Sequence, residues 1–250
     1  MLLEKGGRTF LQDRQLGSSL SAIAGAINAF SFLSVGYYCA NMTGNVSALA
    51  TNFLNEDMKV ALVSAGLVVC FLVGAMLSAI MVNVGRRRGE AGIYAYSILI
   101  EAVILGALAL IQMFYVLPSV QNVFFPLVLS FLMGMQNATV TRVSGAVVRT
   151  THVTGMLTDL GIEVANWLET GRKRTQAEQH IKMRQRLWLH SQIILCFIAG
   201  SAVGAWGYLH WQKGFLLAIA GILGCLAVPG ILVNTGSEKR READGESSDQ

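Results

Sequence analysis

Charge in this chain is confined to short stretches, and the segments between them are long. Uncharged runs cover residues 15–55, 60–85, 119–141, 191–212 and 214–237, while a sixth run, 91–115, contains the single charge Glu101. A bilayer core takes roughly 20 apolar residues per helix. Four of the runs therefore suit one crossing each, the Glu101 run makes a fifth, and 15–55 is too long for one straight helix. With 53% apolar and 14% charged residues, the pattern predicts an all-α integral membrane protein and excludes an ordinary soluble domain. The mostly polar residues 1–14 and the length of the first apolar run argue against a cleaved signal peptide. Cys39, Cys70, Cys196 and Cys225 lie within apolar segments, so they read as packing residues, with no disulfide framework, metal spacing or cofactor motif.

The basic residues predict orientation. Fifteen of nineteen fall in four clusters: Lys5, Arg8 and Arg14; Arg86 to Arg88; Arg172, Lys173, Arg174, Lys182, Arg184 and Arg186; and Lys239 to Arg241. The positive-inside rule assigns all four to the cytoplasm. Residues 15–55 must then cross once, net, and so must residues 119–169. Each surplus of length implies two helical pieces joined by irregular backbone, or a full helix followed by a segment that dips in and returns.

The two long stretches resemble each other. Gly25, Asn28 and Ala29 align with Gly134, Asn137 and Ala138; Thr43 and Gly44 align with Thr154 and Gly155 after a two-residue insertion; CFLVG at 70–74 matches CFIAG at 196–200. Three membrane elements per half make an odd number, so the second half enters from the opposite side. The expected architecture is a six-span bundle built as a three-plus-three inverted repeat, a plan common among secondary transporters. Repeat 1 covers 15–117 and repeat 2 covers 118–236, including a basic cytoplasmic loop at 170–190; a cytoplasmic tail at 1–14 and a disordered one at 237–250 flank them. Irregular backbone is tolerated in hydrocarbon only where protein or a water-lined cavity satisfies it, so both breaks should face the bundle centre. Thr43 and Thr154 are the predicted N-caps of the following helices.

The segments AGAINAFSFL, ANMTGN, MGMQNATVTR and RTTHVTGMLTDLG resemble the YoaK-type family of bacterial membrane proteins, also termed domain of unknown function 1275. The resemblance covers residues 15–235. It implies a multi-pass protein of the bacterial inner membrane and brings no substrate or mechanism with it.

Candidate residues follow from the rarity of polar side chains in membranes. The solute or ion site is predicted at Asn28, Asn41, Thr43, Gly44, Asn45, Asn137, Arg149, His152, Thr154, Gly155 and Asp159. Glu101, Asp159 and Glu163 are candidates for proton coupling. Against these stand structural readings: Glu101 as a partner of Arg142 or Arg149, Glu163 as a partner of Arg172, and Asn28 and Asn137 as hydrogen-bonding links between helices. The pairs Gly74/Ser78 and Gly200/Gly204 read as close-packing faces. CANMTGN carries no charge whereas RTTHVTG does, so ion or proton handling should fall to the second half, with His152 and Asp159 reaching a shared aqueous cavity.

The sequons NMT, NVS and NAT lie in membrane elements and are set aside. No recognised catalytic spacing occurs, so an intramembrane enzyme using His152 with Asp159 or Glu163 is a minor alternative. The basic loop reads as an anchor to anionic lipid rather than to nucleic acid, and a homodimer fits so small a bundle. The expected function is movement of a small solute through the two Thr-Gly breaks. The alternative is a non-transporting scaffold or sensor.

Overall fold

The computed structural model describes residues 10–88, 92–114, 118–143, 150–170 and 177–246. All of its regular structure is helical: α1 (Phe10–Val35), α2 (Met42–Leu54), α3 (Met58–Arg87), α4 (Ile93–Phe114), α5 (Pro118–Val143), α6 (Val153–Thr170), α7 (Ala177–Trp211) and α8 (Phe215–Glu246). Among the described residues, five stretches are long and apolar enough to cross a membrane: Arg14–Val35, Met58–Arg87, Ile93–Phe114, Val123–Val143 and Met183–Trp211. Phe215–Ile231 is a shorter apolar helix. Leu72, Val103 and Leu195 are each more than 60% exposed, a placement that suits lipid and not water. The chain is a multi-pass membrane protein.

Local chemistry sets the helix ends. Gly36 takes a φ of +80°, which costs glycine little and other residues much, and its N–H bonds back to the Phe32 carbonyl at 2.8 Å. The chain then reverses alongside α1: the Ser31 hydroxyl donates to the Tyr37 carbonyl at 2.9 Å, and the Ala40 N–H donates to Asn28 Oδ1 at 2.9 Å. The first break is thus a return after a full-length helix, with α2 starting from within the bundle and not continuing α1 outward. Asp57 caps α3 through Val60 N–H at 3.3 Å, and Glu56 with φ +61° makes the tight turn between α2 and α3.

The two halves interlock. The most extensive contacts are α1 with α7, α3 with α5 and α4 with α8. A methyl group added at Gly200 would overlap the Ala22 carbonyl, one at Gly204 the Ala26 carbonyl, and one at Gly25 the Phe197 carbonyl. The second crossing repeats this: Gly74 lies on the Phe131 carbonyl and Gly134 on the Phe71 carbonyl. Helices approach so closely in lipid only through small residues. Each crossing also carries a buried serine that donates to a carbonyl of the facing helix. Ser21 donates to the Ile193 carbonyl at 3.0 Å and Ser130 to the Leu67 carbonyl at 2.8 Å. These contacts make α1 parallel to α7 and α3 parallel to α5, whereas α3, α4 and α5 succeed one another as antiparallel hairpins. Thr139 joins all three of the latter, 2.8 Å from Ser78 and 2.7 Å from Ser97.

Two expectations about the ends need correction. The stretch 170–190 is not a loop throughout, because α7 already begins at Ala177. Residues 237–246, expected to be disordered, continue α8. Residues 1–9 and 247–250 lie outside the described residues.

Candidate functional site

A cavity of about 430 Å³ lies where α2 and α6 begin. Its walls come in matched pairs from the two halves. Asn28 and Asn137 face it from α1 and α5; Phe71 and Phe197 from α3 and α7; Asn41 and His152, Met42 and Val153, and Thr43 and Thr154 from the two helix starts; Ala40 and Thr151 from the breaks. Tyr38 completes the lining. Its aligned partner, Arg149, lies outside the described residues.

The asparagines show how the site is organised. The Ala40 N–H fixes which terminal atom of Asn28 is oxygen, since that atom accepts the bond. The Cys39 thiol stands 3.9 Å from the same oxygen. The amide nitrogen of Asn28, a residue only 8% exposed, is left to the cavity. On the opposite wall the Thr150 hydroxyl is 3.5 Å from Asn137 Oδ1, and the Thr150 carbonyl accepts from Ser21 at 3.3 Å. Each asparagine therefore ties a returning segment to the helix it returns along. This is the linking role weighed against solute binding, and the geometry allows both.

The helix starts depart from expectation. The cap of α2 is Asn41, whose Oδ1 accepts from Gly44 N–H at 3.1 Å, and the Asn41 carbonyl takes the first helical bond from Asn45 at 3.0 Å. Thr43 lies inside the first turn. In the second half, the His152 carbonyl accepts from Met156 N–H at 3.1 Å, which puts His152, not Thr154, at the place of Asn41. Both threonines are thereby freed to line the cavity. Gly44 and Gly155 also acquire a reason: a side chain at Gly44 would strike the Asn41 amide, and one at Gly155 the His152 ring. Asn45 is buried, and its Nδ2 holds the Tyr38 carbonyl at 3.1 Å.

The charged candidates are dispersed. Asp159 is exposed on α6 and does not line the cavity that His152 lines. Glu163 pairs with His190 of α7 at 3.2 Å, replacing the expected Arg172, which lies outside the described residues. Glu101 is 1% exposed in α4, and its Oε1 has no hydrogen-bond partner among the described residues. Arg142, proposed as its partner, instead donates to Asn83 Oδ1 at 3.1 Å. A second space of about 270 Å³ shares Asn137 and His152 with the central cavity and is lined also by Thr141 and Arg142.

Sequence reasoning missed Phe71 and Phe197 as lining residues. The signal was present, since they are the shared phenylalanines of CFLVG and CFIAG. It missed His190 because nothing local links that residue to Glu163. Neither the curated proteins nor the solved structures gave a match to the chain. The match that does exist runs from residue 16 to residue 229 and covers both breaks and the cavity they enclose, so the chain belongs to the family described as protein of unknown function DUF1275.

Proposed function

We propose that the protein moves a small solute across the bacterial inner membrane through the cavity between α2 and α6, with both termini in the cytoplasm. The observation that carries this reading is the polar cavity itself, lined in matched pairs by both halves. A packed centre would suit a scaffold, whereas unpaired amide and hydroxyl groups facing open space suit a solute that comes and goes. The twin glycine crossings and the twin serine bonds support an inverted repeat. On this reading α2 and α6 dip in from opposite faces, and their N-termini meet at the substrate as half-helices do in transporters. Separation of Asp159 from the cavity and engagement of Glu163 by His190 speak against the enzymatic alternative.

The test uses Thr43→Cys and Thr154→Cys, each in a chain whose native cysteines have been replaced. Both thiols should react with a water-soluble, membrane-impermeant reagent in proteoliposomes, and the reaction should block solute uptake. Two unreactive thiols in folded protein would overturn the reading. For topology, labelling should find residue 57 on the opposite side from residues 87 and 180.

A further inference from the structure

Resting on that reading, we infer that the solute is a small organic anion of the carboxylate class. It would be held between the two helix starts by hydrogen-bond donors, with its apolar body between Phe71 and Phe197.

The cavity carries amide N–H donors on both of its walls. The oxygen of Asn28 is engaged by the Ala40 N–H, and that of Asn137 stands within reach of the Thr150 hydroxyl. The oxygen of Asn41 is engaged by the Gly44 N–H. Each of these oxygens already carries a donor, whereas the amide N–H groups of the same side chains are free to meet a ligand. Asn28 is the decisive one, since it is more than nine-tenths buried with its nitrogen unbonded on the cavity wall.

The electrostatics agree. Each helix N-terminus carries roughly half a positive charge, and two such ends at one cavity repel cations, as the half-helices of some channels do. Among the described residues, no carboxylate lines either space. The adjoining space, which shares Asn137 and His152 with the cavity, adds Arg142, a fixed positive charge. The two phenylalanines offer no hydrogen bonds and suit a hydrocarbon portion, which separates a carboxylate from a bare halide or sulfate.

Purified full-length protein in detergent provides the test, with two matched probe series: propionate, propionamide and propylammonium; benzoate, benzamide and benzylammonium. Calorimetric titration should give saturable binding of at least one acid, at least tenfold weaker binding of its amide, and none of its ammonium analogue. Asn28→Asp preserves the acceptor for Ala40 while replacing the donor with a like charge, so it should abolish acid binding with the melting temperature within a few degrees of the parent. Arg142→Gln, at an exposed position of the adjoining space, should weaken acid binding several-fold at low salt and much less at high salt. Amide binding equal to acid binding, preferred ammonium binding, unaltered acid binding in Asn28→Asp, or no binding in either series would each overturn the inference. The transport reading is judged separately by the reactivity of Thr43→Cys and Thr154→Cys, which does not depend on the charge of the solute.

Discussion

The segment leading into α2 and the segment leading into α6 solve the same problem with different side chains. In the first, an amide caps the helix and a second amide, Asn28, holds the Ala40 N–H. In the second, an imidazole occupies the cap position, and Asn137 meets a hydroxyl at the longer distance of 3.5 Å. The helices beyond differ as well. Glu163 ties α6 to α7 through His190 at 3.2 Å. Its aligned position in α2, Asn52, turns back on its own helix to the Ala48 carbonyl at 2.7 Å. The glycine crossings recur in both halves, whereas the polar attachments do not. The common part is what places two helix starts at one cavity, and the divergent part sets how firmly each is held.

The crossings should be the most costly features to disturb and the most alike. Gly74→Leu and Gly200→Leu each force a side chain onto a backbone carbonyl, and overpacking costs about 1–3 kcal/mol. Melting temperatures in detergent should fall in both variants by similar amounts; a loss confined to one would break the equivalence of the halves. Next come the asparagines, where the halves should diverge. Asn28→Ala leaves a buried N–H unpaired at about 1–3 kcal/mol, while Asn137→Ala gives up only a long contact, so the same measurement should show the larger drop for Asn28→Ala.

At the helix starts, Asn41→Ala should cost about 1 kcal/mol and Thr43→Ala only a few tenths. The reverse order would restore Thr43 as the cap. His152→Asn, which gives the second start the side chain of the first, should be nearly neutral in stability. An effect no larger than that of the Asn41 cap is expected for the α6 clamp. A double-mutant cycle of Glu163→Gln and His190→Gln should return a coupling of about 0.5–1 kcal/mol, and a zero coupling would remove that difference between the halves.

Five of the six expected spans and the first break were legible because a membrane forbids charge and irregular backbone for simple energetic reasons, and their absence or presence is visible residue by residue. The close-packing roles of Gly74 and Gly200 were legible too, since small residues spaced four apart have few other uses in lipid. The direction of the chain after α1 was not. It depends on Gly36 adopting a left-handed conformation and on Asn28 reaching Ala40, a tertiary choice between two paths of equal length. Cap assignment failed for a related reason: Asn41 and Thr43 are both good capping residues, and only the position of the reversal decides between them. The contact of Glu163 with His190 joins two helices and leaves no trace in either one alone.

The glycine crossings also bear on how the molecule is made. Ala22 and Ala26 of α1 meet Gly200 and Gly204 of α7, so α1 leaves the ribosome well before the helix it packs against. At synthesis rates of about 5–20 residues per second, that interval is roughly 10–35 s. During it, the glycine faces of α1 and α3 stand open to lipid or to whatever attends insertion. The most extensive contacts of each half are with the other, and the bundle becomes a stable object only once α7 and α8 have been made.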